Sequence, residues 1–370
     1  MKILITGSNG FIGKNLVSRI SEMNGYEVLP FVRGESMSRL AYLIEIADAV
    51  IHLAGENRPS NISDFEEGNA VFTSVLCDLV SKKNSDAPVI FASSIQALLD
   101  NPYGRSKLAA ETALENLAST NGNQLYIYRL PGVFGKWCKP NYNSVVATFC
   151  HNIASGLDIQ ISDSEKIIEL AYVDDVVGEF LAALLRTEPS DQKLYDVGST
   201  YDISLGELAS QIKGFSESRY SLVLGGVGEG LTRALYATYI SFLSPPDFSY
   251  PLKEHSDERG IFVEMLKTPD SGQISFFTAK PGITRGGHYH HTKSEKFLVV
   301  KGSAKFGFRH ILTDERYSIT VTDNQPIIVE TVPGWSHDVC NVGSDDLIVM
   351  LWANEIFDEH RPDTISSGVI

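Results

Sequence analysis

Residues 2–13 read KILITGSNGFIG. A short apolar run leads into a turn that carries Gly7, Gly10 and Gly13 at three-residue spacing. Glycines so placed let a strand turn sharply, let backbone N–H groups approach a pyrophosphate, and let the following helix pack close to the strand. The N-terminus of that helix favours the negative charge. The opening therefore predicts strand, phosphate-cradling turn and helix, the first unit of a parallel α/β sheet. The rhythm continues to about Val197: AVIHLAG, PVIFASS and QLYIYRLPG alternate with the amphipathic stretches SRLAYLIEIA and KLAAETALENLAS. Strands alternating with helices of that length imply right-handed βαβ units.

From about Ile261 the pattern changes. IFVEMLK, QISFFTAK, EKFLVVKG, AKFGFRHI, YSITVT, QPIIVETV and DLIVMLWAN are strand-like and separated by Gly, Pro, Asp and Asn, which predicts an all-β barrel or jelly roll. Between the halves, SFLSPPDFSYP (241–251) holds three prolines after the predicted helix EGLTRALYATYISFL, and reads as a linker. The expected division is 1–244 and 245–370. A chain of 370 residues, 43% apolar, has material for two cores.

A formal net charge of −15 excludes a general affinity for nucleic acid or anionic membrane, while a local basic pocket could still hold a phosphate. Cys77, Cys138, Cys150 and Cys340 show neither metal-type pairing nor a disulfide framework, so a reducing cytoplasm is expected. The N-terminus runs straight into a strand without the apolar core of a signal peptide. No run of about eighteen apolar residues is present, so no membrane span is expected.

At the end of the second predicted strand, VLPFVRGES offers Arg33 where an acidic residue would bond an adenosine ribose. A guanidinium suits a 2′-phosphate, so the expected cofactor is NADPH. In IHLAG (51–55), Leu53, Ala54 and Gly55 bring a small-residue edge to the cofactor, and Asn69 starts the next helix in a suitable place. FASSIQALLDNPYGRSK (91–107) sets Tyr103 and Lys107 four apart, on one face of a helix, with Ser93 and Ser94 just upstream. A lysine ammonium there would favour the tyrosinate and bind the nicotinamide ribose, and a serine hydroxyl would hold a substrate oxygen.

Together with RLPGVFG (129–135), these motifs resemble the extended short-chain dehydrogenase/reductase family, whose fold is a Rossmann-type doubly wound parallel sheet. The resemblance implies that Tyr103 is the acid/base, Lys107 its partner, and Ser94 rather than Ser93 the orienting hydroxyl. It also implies that Asn9, Phe11 and Ile12 join the three glycines at the cofactor. RLPGVFGKW, NSVVATF and YVDDVV fall where that family builds a nucleotide-sugar pocket, although an arginine often found just before YVDDVV is replaced by IIELA.

GGHYHHTKSE (286–295) carries a different chemistry. Gly282, His288-x-His290, Glu295 and Gly302, then Pro333, Gly334, His337 and Asn341 in PGWSHDVCN, resemble the two motifs of the cupins. On a barrel strand His288 and His290 share a side, and Glu295 and His337 can converge from neighbouring strands. Imidazole with carboxylate suits Zn, Fe, Mn or Ni; one divalent ion is expected, with zinc as the first choice. SDERGIFVEMLK followed by ITRGGHYH further resembles the nucleotide-linked 4-keto-sugar epimerases of the cupin superfamily, in which the matching histidine is a general base. That alignment makes His288 the base and leaves His290, Glu295 and His337 on the metal, whereas the cupin motif makes His288 a fourth ligand. Both readings stand at this point.

A reductase joined to a metal cupin resembles the bifunctional bacterial enzymes of capsular polysaccharide synthesis that make a 6-deoxy-talosamine nucleotide. That resemblance implies a UDP-2-acetamido-2,6-dideoxy-4-hexulose as substrate, inversion at carbon 3 by the cupin half, and reduction of the 4-ketone with NADPH by the first half. It also implies a homodimer paired through the second half. Two rivals are a 4-ketoreductase whose cupin is a non-catalytic binding or dimerisation module, and a dioxygenase or isomerase module fused for another pathway.

Overall fold

The structure, a computed structural model, describes residues 1–82, 86–186, 192–257, 260–263, 265–266, 268, 272–355 and 360–370. The stretch 256–267, quoted above for the epimerase resemblance, therefore lies partly outside the described residues. By packing, the chain separates into two compact units: Met1–Ser144 with Ile168–Ile203, and Val145–Ile167 with Ser204–Ile370.

In the first unit β1 (Lys2–Thr6), α1 (Phe11–Ser21), β2 (Glu27–Phe31), α2 (Met37–Ile46) and β3 (Ala49–His52) follow the predicted alternation. A short helix α3 (Ser63–Phe65) passes through a π turn (Glu66–Val71) into α4 (Phe72–Lys82). β4 (Val89–Ser94), α5 (Pro102–Asn121), β5 (Leu125–Leu130) and β6 (Gly132–Phe134) come next. After α6 (Val145–Ala154) come β7 (Ile167–Tyr172), α7 (Val173–Leu184), β8 (Leu194–Tyr195) and β9 (Tyr201–Ser204).

The main sheet runs β2-β1-β3-β4-β5-β8, and every pairing is parallel. Strand alternation supplies both cores. Ile3 and Ile5 pack with Leu16 and Ile20 of α1 and Val176 and Phe180 of α7, whereas Leu4 packs with Leu40 of α2, Leu76 of α4 and Leu114 of α5. Helices thus cover both faces of a parallel sheet, as the near-continuous apolar strands require. The strand order reverses at β1/β3, the position at which such sheets bind ligands beyond the strand ends.

The second unit contains α6, α8 (Leu205–Ser221), α9 (Gly230–Ile240) and β10 (Ser249–Pro251) to β21 (Ile365–Ser366). Ser204 starts α8 through a reciprocal capping box with Glu207. A hairpin, β11 (Glu254–Asp257) and β12 (Gly260–Val263), precedes β13 (Gln273–Ala279), β14 (Thr284–Tyr289), β15 (Glu295–Lys301), β16 (Ser303–His310) and β17 (Arg316–Thr322). β18 (Ile327–Glu330), β19 (Trp335–Asn341) and β20 (Leu347–Ala353) follow. The strands form two five-stranded sheets, β10-β18-β15-β20-β13 and β17-β16-β19-β14-β21, antiparallel at every register recorded.

The expected linker 241–251 is built into this unit. Its prolines shape a 3-10 turn at Pro245–Phe248, β10 pairs with β18, and Phe248 is fully buried against Phe308, Tyr317 and Trp335 at ring separations of 5.4, 6.2 and 5.0 Å. Packing likewise does not follow a cut at 244/245, because α8 is tied to the β half by buried charge. Arg219 of α8 pairs with Glu330 of β18, Glu330 also pairs with Lys296 of β15, and the Lys296 Nζ lies 3.0 Å from the Tyr250 hydroxyl. Burial, then the Arg219 charge, holds the Lys296 ammonium well below the usual lysine range.

Candidate active site and metal centre

Gly7 has φ +71°, and a Cβ there would lie 2.8 Å from the Ala54 nitrogen; a Cβ at Gly13 would lie 2.3 Å from the Gly7 carbonyl. The turn therefore closes only with glycine at both positions. Beyond it opens a cavity of about 660 Å³ whose walls include Gly7, Asn9, Gly10, Arg33, Leu53, Ala54 and Gly55. Phe11, Ile12 and Gly13, expected at the cofactor, form the first turn of α1. Asn69 is buried beneath the wall. Its side chain accepts from Glu56 N at 2.8 Å and donates to Glu56 O and Ser106 Oγ at 2.9 Å each, so it clamps the 55–56 loop.

Glu35 and Glu56, missed in the sequence, also line the cavity. Glu35 is held by Val32 N–H and Arg39, and its carboxyl lies below the usual range because of that backbone hydrogen bond first. Glu56 pairs with Arg33, whose side chain is otherwise 82% exposed. Arg33 thus stands at the cavity rim, free to exchange a carboxylate for a phosphate. Arg33→Ala is expected to weaken NADPH by about tenfold to a hundredfold, the contribution of a charge-assisted hydrogen bond, and to leave NADH nearly unchanged. Equal losses in titrations with the two cofactors would remove Arg33 from this role.

The catalytic candidates meet at the end of β4. Asn101 caps α5 by accepting from Gly104 N at 2.8 Å, and Pro102 occupies its first turn, so Tyr103 and Lys107 stand one turn apart. Gly104 admits the preceding 3-10 turn, since a Cβ there would lie 2.2 Å from the Gln96 carbonyl. Burial raises the Tyr103 phenol above its ordinary range, and a hydrogen bond with Ser94 pulls the other way. The Lys107 Nζ donates to Ala92 O at 2.7 Å and sits 4.5 Å above the Phe91 ring. Burial lowers its ammonium to about 8, against the charge of Glu111.

The two serines separate cleanly. The Ser93 hydroxyl donates to Glu111, a buried carboxylate that also takes Arg129 Nε at 3.0 Å and Nη2 at 2.6 Å. The Ser94 hydroxyl accepts from Gln96 N at 3.2 Å and is hydrogen-bonded with Tyr103. A buried histidine, His52, is spoken for by Thr6 Oγ1 at 2.7 Å and Thr73 Oγ1 at 2.9 Å, and burial drives its pKa down to about 3.

In the second unit the four predicted metal residues converge: one ligand atom from each of His288, His290, Glu295 and His337 lies within 4.8 Å of all the others. β14 and β19 pair His288 with His337, Glu295 opens β15 in the other sheet, and His290 follows β14. Glu295 Oε2 lies 3.3 Å from His290 Nε2 and 3.4 Å from His337 Nε2. Ligands on a tetrahedral ion with bonds of about 2.0–2.1 Å stand about 3.3–3.4 Å apart, so these three residues fit such an ion.

The surroundings orient the ligands. His290 Nδ1–H donates to the Asp363 carbonyl, which puts the ring proton on Nδ1 and leaves the Nε2 lone pair facing the cluster. The Asp363 carboxylate accepts from the backbone N–H of His291, Thr292 and Lys293 at 2.9, 2.8 and 2.8 Å, fixing the turn between ligands. Burial pushes the Glu295 carboxyl up, but hydrogen bonds from His290 and His337 outweigh it and hold it well below the usual range. Burial, then the neighbouring His337 and His290, lowers His288 to about 4, so it is neutral at pH 7. Asp363 was missed because it joins the site from 70 to 73 residues downstream of its partners.

A family model described as NAD dependent epimerase/dehydratase family matches residues 3–198, and one described as Polysaccharide biosynthesis C-terminal domain matches 255–365. The chain is 54% identical over 369 residues to UDP-2-acetamido-2,6-beta-L-arabino-hexul-4-ose reductase of Pseudomonas aeruginosa, covering 100% of this chain and 99% of that protein. It is similar to the crystal structure of the capsular polysaccharide assembling protein CapF from Staphylococcus aureus, at 41% identity and TM-score 0.69 with 100% of both chains covered. It is also 26% identical over 258 residues to dTDP-4-dehydro-6-deoxyglucose reductase of Escherichia coli, covering 57% of this chain and 80% of that protein. Among the described residues, no helix is long and apolar enough to cross a membrane.

Proposed function

The chain belongs to the NAD dependent epimerase/dehydratase family, and on that premise we propose that it is a bifunctional enzyme of cytoplasmic nucleotide-sugar metabolism acting for capsular polysaccharide. Its substrate is a UDP-2-acetamido-2,6-dideoxy-4-hexulose, its cofactor NADPH, and its product a UDP-N-acetyl-6-deoxy-talosamine. The observation that carries this reading is full-length similarity to a 4-hexulose reductase together with two separate sites, Ser94-Tyr103-Lys107 and the histidine cluster. Function divides at 244/245, although packing does not.

In the reductase half, NADPH supplies a hydride to carbon 4 when bound. The chain does the rest: Ser94 holds the ketone oxygen, Tyr103 gives that oxygen its proton, and Lys107 stabilises the phenolate left behind. In the cupin half the ketone acidifies the carbon 3 proton. His288 removes that proton, while His290, Glu295 and His337 would hold a divalent ion, zinc by first choice, that would supply charge to stabilise the anion developing beside it. Reprotonation from the opposite face inverts carbon 3, and reduction afterwards locks the configuration. Incubating protein and UDP-4-keto sugar in deuterium oxide tests both steps: deuterium should enter carbon 3 without NADPH, and the 4-hydroxyl product should form only with it. No incorporation would overturn the epimerase.

Purified protein is expected to carry about one divalent ion per chain, lost in His290→Ala and in His337→Ala. Undiminished metal by elemental analysis in both variants would sink the site. A second reading, in which the metal is structural and the cupin non-catalytic, draws on the closeness of all four residues, since four protein ligands close a tetrahedral shell. Stoichiometric zinc without deuterium incorporation would favour it.

The proposed homodimer has a surface to use. The sheet containing β13 and β20 exposes Ile274, Phe276 and Val300, which with Ile348 and Met350 surround a hollow of about 340 Å³. β13 is also an edge strand in that sheet. Phe276→Lys should therefore yield monomers in sedimentation; an unchanged dimer would place the interface elsewhere.

A further inference from the structure

The second oxygen of Glu295 has its own partner. Lys293 Nζ lies 3.0 Å from Glu295 Oε1, with the two side chains 11% and 8% exposed. Oε2 of the same carboxylate faces His290 and His337. Each half of the carboxylate is therefore assigned: one oxygen to the imidazoles, the other to a nearly buried ammonium. The placement is built rather than incidental, because the Lys293 N–H is fixed by Asp363 at 2.8 Å in the turn that carries both ligands.

We infer that Lys293 is a positioning residue of the metal centre, holding Glu295 as a one-oxygen ligand and so keeping a coordination position for the substrate. The inference rests on the metal reading above. A carboxylate can bind an ion through one oxygen or two, and a second Glu295 oxygen would occupy the position that His290, Glu295 and His337 leave open. An ammonium hydrogen-bonded to Oε1 opposes that change. Outer partners of this type tune affinity by about tenfold to a hundredfold.

Cobalt(II) is the probe, because its visible bands weaken as coordination number rises and so report geometry directly. Full-length wild type, Lys293→Met and Lys293→Arg are loaded with one cobalt ion per chain and titrated against a competing chelator. Lys293→Met is expected to weaken the visible bands, as the second Glu295 oxygen binds and coordination number rises, and to shift cobalt affinity by about tenfold to a hundredfold; Lys293→Arg is expected to restore the wild-type spectrum. Reduction of the 4-ketone serves as the folding control, and Lys293→Gln replaces Lys293→Met if the latter misfolds. A spectrum and affinity in the neutral variants equal to wild type would overturn the inference while leaving the metal centre standing. Failure of wild type to bind cobalt stoichiometrically would overturn the metal centre and this inference with it.

Discussion

Tyr103→Phe is expected to lose ketone reduction by about a hundredfold to ten-thousandfold, the contribution of a positioned acid, while deuterium exchange at carbon 3 proceeds unchanged. In the proposed mechanism the phenol is the proton donor to the carbon 4 oxygen, and phenylalanine keeps the ring that packs 5.6 Å from Phe65. NADPH binding should persist, since the cavity walls at Gly7, Gly10 and Arg33 are untouched. The sign of the pH dependence follows from burial. A phenol raised above its ordinary range stays protonated through neutral pH, so reduction should fall only as pH rises through that raised value. Normal NADPH oxidation in the variant would remove Tyr103 from the mechanism.

His288→Asn separates the two roles left open for that residue. As a base it can be removed without disturbing Glu295, whose Oε2 contacts run to His290 and His337. Metal should stay near one ion per chain while carbon 3 exchange drops by about a hundredfold or more. Reduction should continue on the unepimerised ketone, because Tyr103 needs nothing from the histidine cluster. If His288 is instead a ligand, metal affinity and exchange fall together in a chelator titration, and the base assignment is lost.

The parts of the molecule readable in the sequence are those written in local pattern. Gly7, Gly10 and Gly13 announced the turn and Tyr103 and Lys107 the helix face, because each depends on spacing along one element. The convergence of His288, His290, Glu295 and His337 was also legible, since a two-residue period puts His288 and His290 on one side and the motif spacing supplies the rest. What escaped depends on packing between distant segments. The choice of Ser94 over Ser93 came from resemblance, and its physical reason, Glu111 and Arg129 capturing Ser93, could not be read locally. The hydrogen bonds of Asn69 to Glu56 and Ser106 had no local signal either. Lys293 lay in plain sight within GGHYHHTKSE, but as a cation it matched no ligand type. The prolines of 241–251 suggested a linker because nothing local reveals that Phe248 is buried among three aromatic rings.

The Arg219–Glu330–Lys296 cluster bears on how portable the two chemistries are. A gene split after codon 244 would leave Glu330 and Lys296 on one product and Arg219, the helix-borne member of the cluster, on the other. Removing one partner from a buried ionic group costs about 3–5 kcal/mol, which is comparable with the whole net stability of a small domain. The cut would divide the second unit and leave the first whole. An engineer who wishes to graft the epimerase onto another reductase must carry α8 across with it.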